Sequence, residues 1–435
     1  MITHFLLSSA LILGVGHGAG WAAQRLRQPY IVGQLAAGIA LGPSLLGSTA
    51  PGAYRMLFPK EIGTALTGLA QISLAVFLFA VGYELDLKIL GDRARTAVTL
   101  ALASFAVPMA VGSGCALVFR DQLHDLGMPH LSPAMIVFAG IALSITAVPV
   151  LSAIVRENGL ANTVPGMLAV SAAGLLDVIG WTVLAGTLLR GGGSQPLDWS
   201  WWALIAVVFM ALMLLVARPV LRTLLWRTGL DPSVRLALLV GFALASAGLT
   251  QFLGLHAICG ALLAGVVCPR EEGGTLDPDL LRPLHVVSSL LLPFFFVVSG
   301  QAVALGSLSA TGWTAMLVVT GLAVVTKVGS GTVAGRLSGL DRDVARTVGV
   351  LLSARGLTEL IALSAGFQAG LLSRPFYTVL VFMALFTTLL TQPLLFVVRR
   401  LAARDRIGSE GDDGSWSVLD RPRKGTPAAP VPEAG

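Results

Sequence analysis

Thirteen stretches of roughly 20 mostly apolar residues, each about the length a helix needs to cross a bilayer, follow one another along this chain. They fall at approximately 3–23, 29–47, 62–83, 94–119, 132–155, 163–189, 199–217, 232–252, 255–268, 284–304, 311–337, 344–368 and 375–398. Hydrocarbon offers no water to backbone N–H and C=O groups, so a spanning segment must satisfy its own, and segments of this length do so as α-helices. The expected fold is therefore all-α and integral to a membrane. Composition agrees. Only 12% of the 435 residues are charged, about half the share in soluble domains, and the 50 glycines suit helices that approach closely.

The 29 Lys and Arg residues test this count. With the N-terminus outside, successive inner loops carry Arg25 and Arg27; Lys88, Arg93 and Arg95; Arg156; Arg218, Arg222, Arg227 and Arg235; Arg270 and Arg282; then Arg336, Arg342 and Arg346, before a basic tail. The outer loops carry Arg55, Lys60, Arg120, Arg190 and Arg374. This alternation follows the positive-inside rule. It predicts a multi-pass protein of the cell membrane with its N-terminus outside and its C-terminus cytoplasmic. It also accounts for the net charge of +6 with no nucleic-acid partner.

The first run has no basic n-region and no convincing cleavage site, so a span is expected there and no signal peptide. Beyond residue 400 the chain is polar and rich in Pro and Gly. Residues 401–435 are expected to be a disordered cytoplasmic tail, which leaves function to a transmembrane domain over 1–400. Cys115, Cys259 and Cys268 are odd in number and lie in or at apolar runs, a pattern of packing residues with no disulfide frame or metal pair.

Four charged side chains sit well inside spans: Asp177, Lys327, Arg355 and Glu359. An unpaired charge at the centre of a spanning helix costs roughly 2.5–3.5 kcal/mol on insertion scales, so such residues face a cavity or one another. Asp177 and Lys327 are each near the middle of a span, too deep to snorkel. Ala173, Gly174 and Gly180 flank Asp177 at helical spacing and leave room for an ion or a facing helix. Arg355 and Glu359 stand i, i+4, where they either neutralise one another or join an ion path.

Two spans are expected to be broken. Pro149 interrupts SITAVPV, just after Ser144 and Thr146, and Gly356 follows Arg355 in LLSARGLTEL. Proline removes a backbone donor and restricts the residue before it, and unwound backbone at membrane depth is tolerated where it lines a cavity or is packed in protein. Paired breaks in two halves of a chain point to a substrate site. Asp177, with hydroxyls from Thr146 and Ser144 and freed carbonyls, offers hard oxygen ligands suited to a proton or a monovalent cation. Lys327, Arg355 and Glu359 would act as supporting charges. The glycine patterns GVGHGA and GSGTVA lie in spans, outside any βαβ unit, so they are helix-packing glycines. The spacings Gly14–Gly18, Gly16–Gly20 and Gly331–Gly335 agree with that.

Several stretches resemble the second family of monovalent cation:proton antiporters (Kef-type), most of all the transmembrane part of plant-type cation/proton exchangers. They are PYIVGQLAAGIALGPSLLG (29–47), FLFAVGYELDL (77–87), SITAVPVL (144–151), GLHAICGALLAGVVCPR (254–270), LLLPFFFVVSG (290–300) and RGLTELIALSAG (355–366). The resemblance covers about 1–400. It implies a thirteen-helix inverted-repeat Na⁺/H⁺ antiporter fold with two crossed discontinuous helices, a dimerisation subdomain and a six-helix core subdomain. It also implies a homodimer and elevator-like transport. It assigns the essential aspartate to Asp177 and the basic residue of the later helix to Lys327.

One position departs from the family pattern. A polar or acidic residue is usual before the aspartate, and here Leu176 stands there, so Lys327 lacks an acidic partner. The expected activity is exchange of Na⁺ or K⁺ for protons, electroneutral at one proton per cation, with no cofactor, no resident metal and no enzymatic reaction. A Kef-like potassium efflux system, a coupled exporter of an organic solute and a transport-dead sensor or scaffold remain as alternatives.

Overall fold

The computed structural model describes residues 2–26, 28–84, 94–128, 131–161, 163–191, 207–227, 230–253, 257–270 and 278–410, and all its regular elements there are helical. In chain order the helices are α1 (Ile2–Arg25), α2 (Tyr30–Leu41), α3 (Leu46–Thr49), α4 (Pro51–Leu57), α5 (Lys60–Glu84), α6 (Ala94–Val118), α7 (Arg120–Asp125), α8 (Pro133–Ser144), α9 (Val148–Glu157) and α10 (Val164–Gly191). They continue as α11 (Arg218–Arg227), α12 (Pro232–Phe252), α13 (Ala257–Val267), α14 (Pro278–Ala302), α15 (Ala310–Leu337), α16 (Arg342–Leu352), α17 (Leu357–Gln368) and α18 (Arg374–Glu410).

Among the described residues, eleven helical segments are long and apolar enough to cross a membrane, and α16 with α17 makes a twelfth, bent by 41° at its break. The ninth expected span, 255–268, whose residues 255 and 256 lie outside the described ones, corresponds to α13. Its 11 residues rise only about 16 Å, short of a ~30 Å hydrocarbon core, so length and composition alone give twelve crossings. The seventh expected span begins outside the described residues. It is helical over Val207–Leu225, through a π-helical turn at Met213–Ala217, and so runs further than its apolar stretch. Arg218 and Arg222 extend that helix because long cationic side chains can reach the headgroup level from a helix end. α18 likewise runs to Glu410, so 401–410, expected to be disordered, are helical. Residues 411–435 of the expected tail lie outside the described residues.

The helices pack in two groups. In one, α5 lies against α13 and α14, α14 against α2, and α2 against α1; in the other, α6 packs on α8 and α15, α15 on α16 and α18, and α10 on α6 and α16. Backbone contact sets the first group. A Cβ at Gly82 would lie 2.2 Å from the Leu262 carbonyl oxygen, and one at Gly265 would lie 2.1 Å from that of Phe79. Of the glycine pairs expected to pack, Gly16 meets Pro293, Gly20 meets Tyr30, Gly331 meets Gly349 and Gly335 meets Ala345. Gly14 and Gly18 meet nothing within 4 Å. Their side of α1 packs on no described residue, which sequence spacing alone does not reveal.

Both expected breaks are present. α8 ends at Ser144 and α9 starts at Val148, with Pro149 in its first turn, where a missing N–H leaves no helical acceptor unmatched. The second break lies between Leu352 and Leu357.

Candidate functional site

The last carbonyls of a helix have no partner within it, so a break at membrane depth leaves two sets of acceptors to satisfy. Here each break serves the other. From the first, the Ala147 amide donates to the Ala354 carbonyl at 3.2 Å and the Thr146 hydroxyl donates to the Leu352 carbonyl at 3.0 Å. From the second, the Arg355 guanidinium donates to the Ala142 and Leu143 carbonyls at 2.6 and 2.5 Å. A cation at the C-terminal end of α8 is also favoured by the helix dipole. Glu359, one turn beyond Arg355, accepts from it at 2.5 Å, and both side chains are fully buried. Thr388 of α18 donates to the Arg355 carbonyl at 2.8 Å. A Cβ at Gly356 would lie 2.5 Å from Val150 Cγ2, so any larger residue would have to displace the Val150 side chain of α9.

Asp177 lies in α10 with 2% of its surface exposed, and neither carboxylate oxygen has a hydrogen-bond partner among the described residues. A Cβ at Gly180, one turn on, would lie 3.6 Å from Ile145, which places this face of α10 against the first break. Asp177 on α10 and Lys327 on α15 are close enough to interact electrostatically. Lys327 is fully buried, and its Nζ donates to the Thr146 hydroxyl oxygen at 2.7 Å. Leu176 is buried in an apolar cluster. Thr146 thus accepts from Lys327 and donates to Leu352, joining α15 and both breaks through one hydroxyl.

The residues expected at the site have different positions. Thr146, Lys327, Arg355 and Glu359 meet at the crossing, where Pro149 and Gly356 shape the two breaks. Ser144 turns away. Its hydroxyl lies 2.8 Å from the Gly140 carbonyl and 3.0 Å from that of Phe105, so it holds α8 to α6 and no described bond links it to Asp177. Arg355 and Glu359 were open between mutual neutralisation and a place in an ion path, and Arg355 does more than pair, because it caps α8. Thr388 was not anticipated. The buried hydroxyls of Thr387, Thr388 and Thr391 in an otherwise apolar span were the available signal. A buried carboxylate without hydrogen-bond donors is costly. A proton or a cation would satisfy it.

The chain matches the family described as the sodium/hydrogen exchanger, transmembrane, over residues 8–397. It is 33% identical over 398 residues to cation/H⁺ antiporter 17 of Arabidopsis thaliana, covering 90% of this chain and 48% of that protein. It is 30% identical to the Na⁺/H⁺ antiporter NhaS4 of Synechocystis, covering 90% of this chain and 96% of that protein. The chain spans about half the length of the plant and yeast relatives it matches. Among solved structures, the sodium proton antiporter MjNhaP1 of Methanocaldococcus jannaschii has the same fold, with a TM-score of 0.63 at 16% identity over 91% of this chain and 95% of that one. Matched from end to end of its apolar spans, the chain belongs to the sodium/hydrogen exchanger transmembrane family.

Proposed function

We propose that this protein exchanges a monovalent cation, Na⁺ or K⁺, for protons across the cell membrane, with Asp177 carrying each in turn. The observation that carries this is the buried Asp177 carboxylate, beside two crossed helix breaks, with no hydrogen-bond donor of its own among the described residues. Relatives named as a K⁺/H⁺ antiporter in Saccharomyces cerevisiae, a Na⁺/H⁺ antiporter in Synechocystis and a Na⁺/H⁺-K⁺ antiporter in Bacillus cereus support the same chemistry.

The mechanism follows from occupancy. A charged, empty Asp177 is costly at membrane depth, so the site changes sides when a proton or a cation neutralises it. Obligatory exchange results. The Thr146 hydroxyl, bonded to Lys327 and Leu352, keeps one lone pair for a cation, and Ser144 contributes by fixing α8. Because proton and cation compete for one carboxylate, the apparent KM for the cation falls as pH rises. With Leu176 in place of an acid, one carboxylate serves each cycle, and the exchange is electroneutral at one proton per cation.

The two helix groups suit an elevator in which α6, α8–α10 and α15–α18 form the moving core. The group around α1, α2, α5, α13 and α14 would form the dimerisation face of a homodimer. The Lys and Arg pattern supports an outside N-terminus and a cytoplasmic C-terminus, an orientation that needs the short α13 to complete a thirteenth crossing beside the twelve given by length. Proteoliposomes loaded with a pH-sensitive dye test this reading. Adding Na⁺ or K⁺ should move protons, at a rate unaffected by an imposed membrane potential. Absence of cation-dependent proton movement overturns the exchange, and a strong response to potential overturns the stoichiometry.

A further inference from the structure

A cavity of about 520 Å³ lies beside the crossing and takes no part in the chemistry above. Its walls are α6, α8, α15 and the start of α18, with α7 at one end. Along α15 it extends from Ala310 to Leu322, about 18 Å of helix, close to the depth of one leaflet of a ~30 Å hydrocarbon core. Its inner end reaches Leu143, whose carbonyl receives Arg355, and Leu322, five residues before Lys327.

The lining is almost wholly apolar. Thr314 satisfies its hydroxyl on the Ala310 carbonyl of its own helix at 3.0 Å, and among the described residues no lining side chain leaves a buried polar atom unpaired. Such a cavity has nothing to hold water, and left unfilled it would forfeit packing contacts along its walls. Its rim is open to the outside of the helix bundle, since two of its lining residues, Phe119 and Val318, are 44% and 45% exposed. Its other end is polar, with Gln122 and Thr311 on the lining and Arg120 at the start of α7. That end is built firmly. The Ser373 hydroxyl donates to the Leu126 carbonyl at 2.5 Å, and Ser309 caps α15.

We propose that this groove is a binding site for one acyl chain of a bilayer phospholipid, with its headgroup at α7. One-leaflet depth, a dry apolar wall and a polar outer end match an acyl chain, whereas a second protein chain would leave the polar end without purpose. The bound chain braces the last turn of α8 and the middle of α15 next to the crossing.

The test uses the full chain in phosphatidylcholine vesicles containing a phosphatidylcholine with a photoreactive acyl chain. Adducts are mapped by mass spectrometry at increasing mole fraction of the probe. The expected result is labelling of Cys115, Ala315 and Val319 that saturates at low mole fraction. Val319→Trp should reduce it on the order of tenfold, equivalent to about 1.4 kcal/mol, while Leu317→Trp leaves it unchanged. If Val319→Trp yields no folded protein, Cys115→Trp fills the groove from the facing wall and is judged the same way. Labelling that rises with mole fraction alike in the groove and at Val118 would mean ordinary annular lipid and overturn the site. So would an unlabelled groove, or labelling undiminished by the filled variant.

Discussion

The Lys327 ammonium donates to the Thr146 hydroxyl at 2.7 Å, across 181 positions of sequence. With leucine at 176, the buried lysine donates its hydrogen bond to the first helix break. That hydroxyl also donates to the Leu352 carbonyl at 3.0 Å. The charge on α15 and the ends of both broken helices therefore share one side-chain oxygen.

Thr146→Val should weaken exchange far more than its small change in volume suggests. It removes the acceptor from a buried ammonium and the donor from Leu352. Hydrogen bonds to charged groups are worth about 1.5–3 kcal/mol, so cation-dependent exchange at subsaturating cation should fall on the order of 10- to 100-fold. Thr146→Ser should keep most of it. Cation titrations in proteoliposomes decide the matter, and a valine variant as active as the parent would remove Thr146 from the site.

Leu176→Asp should return an acidic neighbour to Lys327 and a second carboxylate to the cycle. Its exchange should then respond to an imposed membrane potential, unlike that of the parent. A variant that transports but stays indifferent to potential would separate the stoichiometry from position 176.

Arg355 and Glu359 should behave as a coupled pair in thermal unfolding of the purified protein. Removing one partner of a buried ion pair costs about 3–5 kcal/mol, whereas replacing both is milder. Glu359→Leu and Arg355→Met should each lower Tm, and the double variant should lose less than the sum. Arg355→Met should be the worse single change, because Ala142 and Leu143 also lose their donor. Strict additivity would contradict the coupling.

Gly265→Ala should disrupt the contact of α13 with α5, since its Cβ would sit 2.1 Å from the Phe79 carbonyl oxygen. Gly14→Ala, with nothing within 4 Å, should leave Tm unchanged. Equal stability of the two variants would mean that this close packing does not hold the first group together.

Much of this was legible in the sequence because hydrocarbon is so restrictive a solvent. Apolar length placed the helices, and the cost of a charge at depth singled out Asp177, Lys327, Arg355 and Glu359. Proline and glycine marked both breaks. Hydrogen-bond direction was not legible. Ser144 and Thr146 have the same chemistry two residues apart, yet one secures α8 to α6 and the other joins the breaks. Only the three-dimensional crossing separates them. The role of Arg355 as a cap on α8 depends on a contact 213 positions away, and no local pattern carries that. The short α13 and the solvent- or lipid-facing Gly14 and Gly18 mark the limits of apolar length and small-residue spacing as guides.

Whether Asp177 alone carries both ions is decided by comparing Asp177→Asn with the parent in dye-loaded proteoliposomes. Asparagine keeps the size of the side chain but has no charge to exchange. Proton movement driven by Na⁺ or K⁺ should fall to the level of empty vesicles, while Tm stays unchanged or rises because a buried charge is gone. Sustained cation-driven proton movement by Asp177→Asn would contradict that role for Asp177.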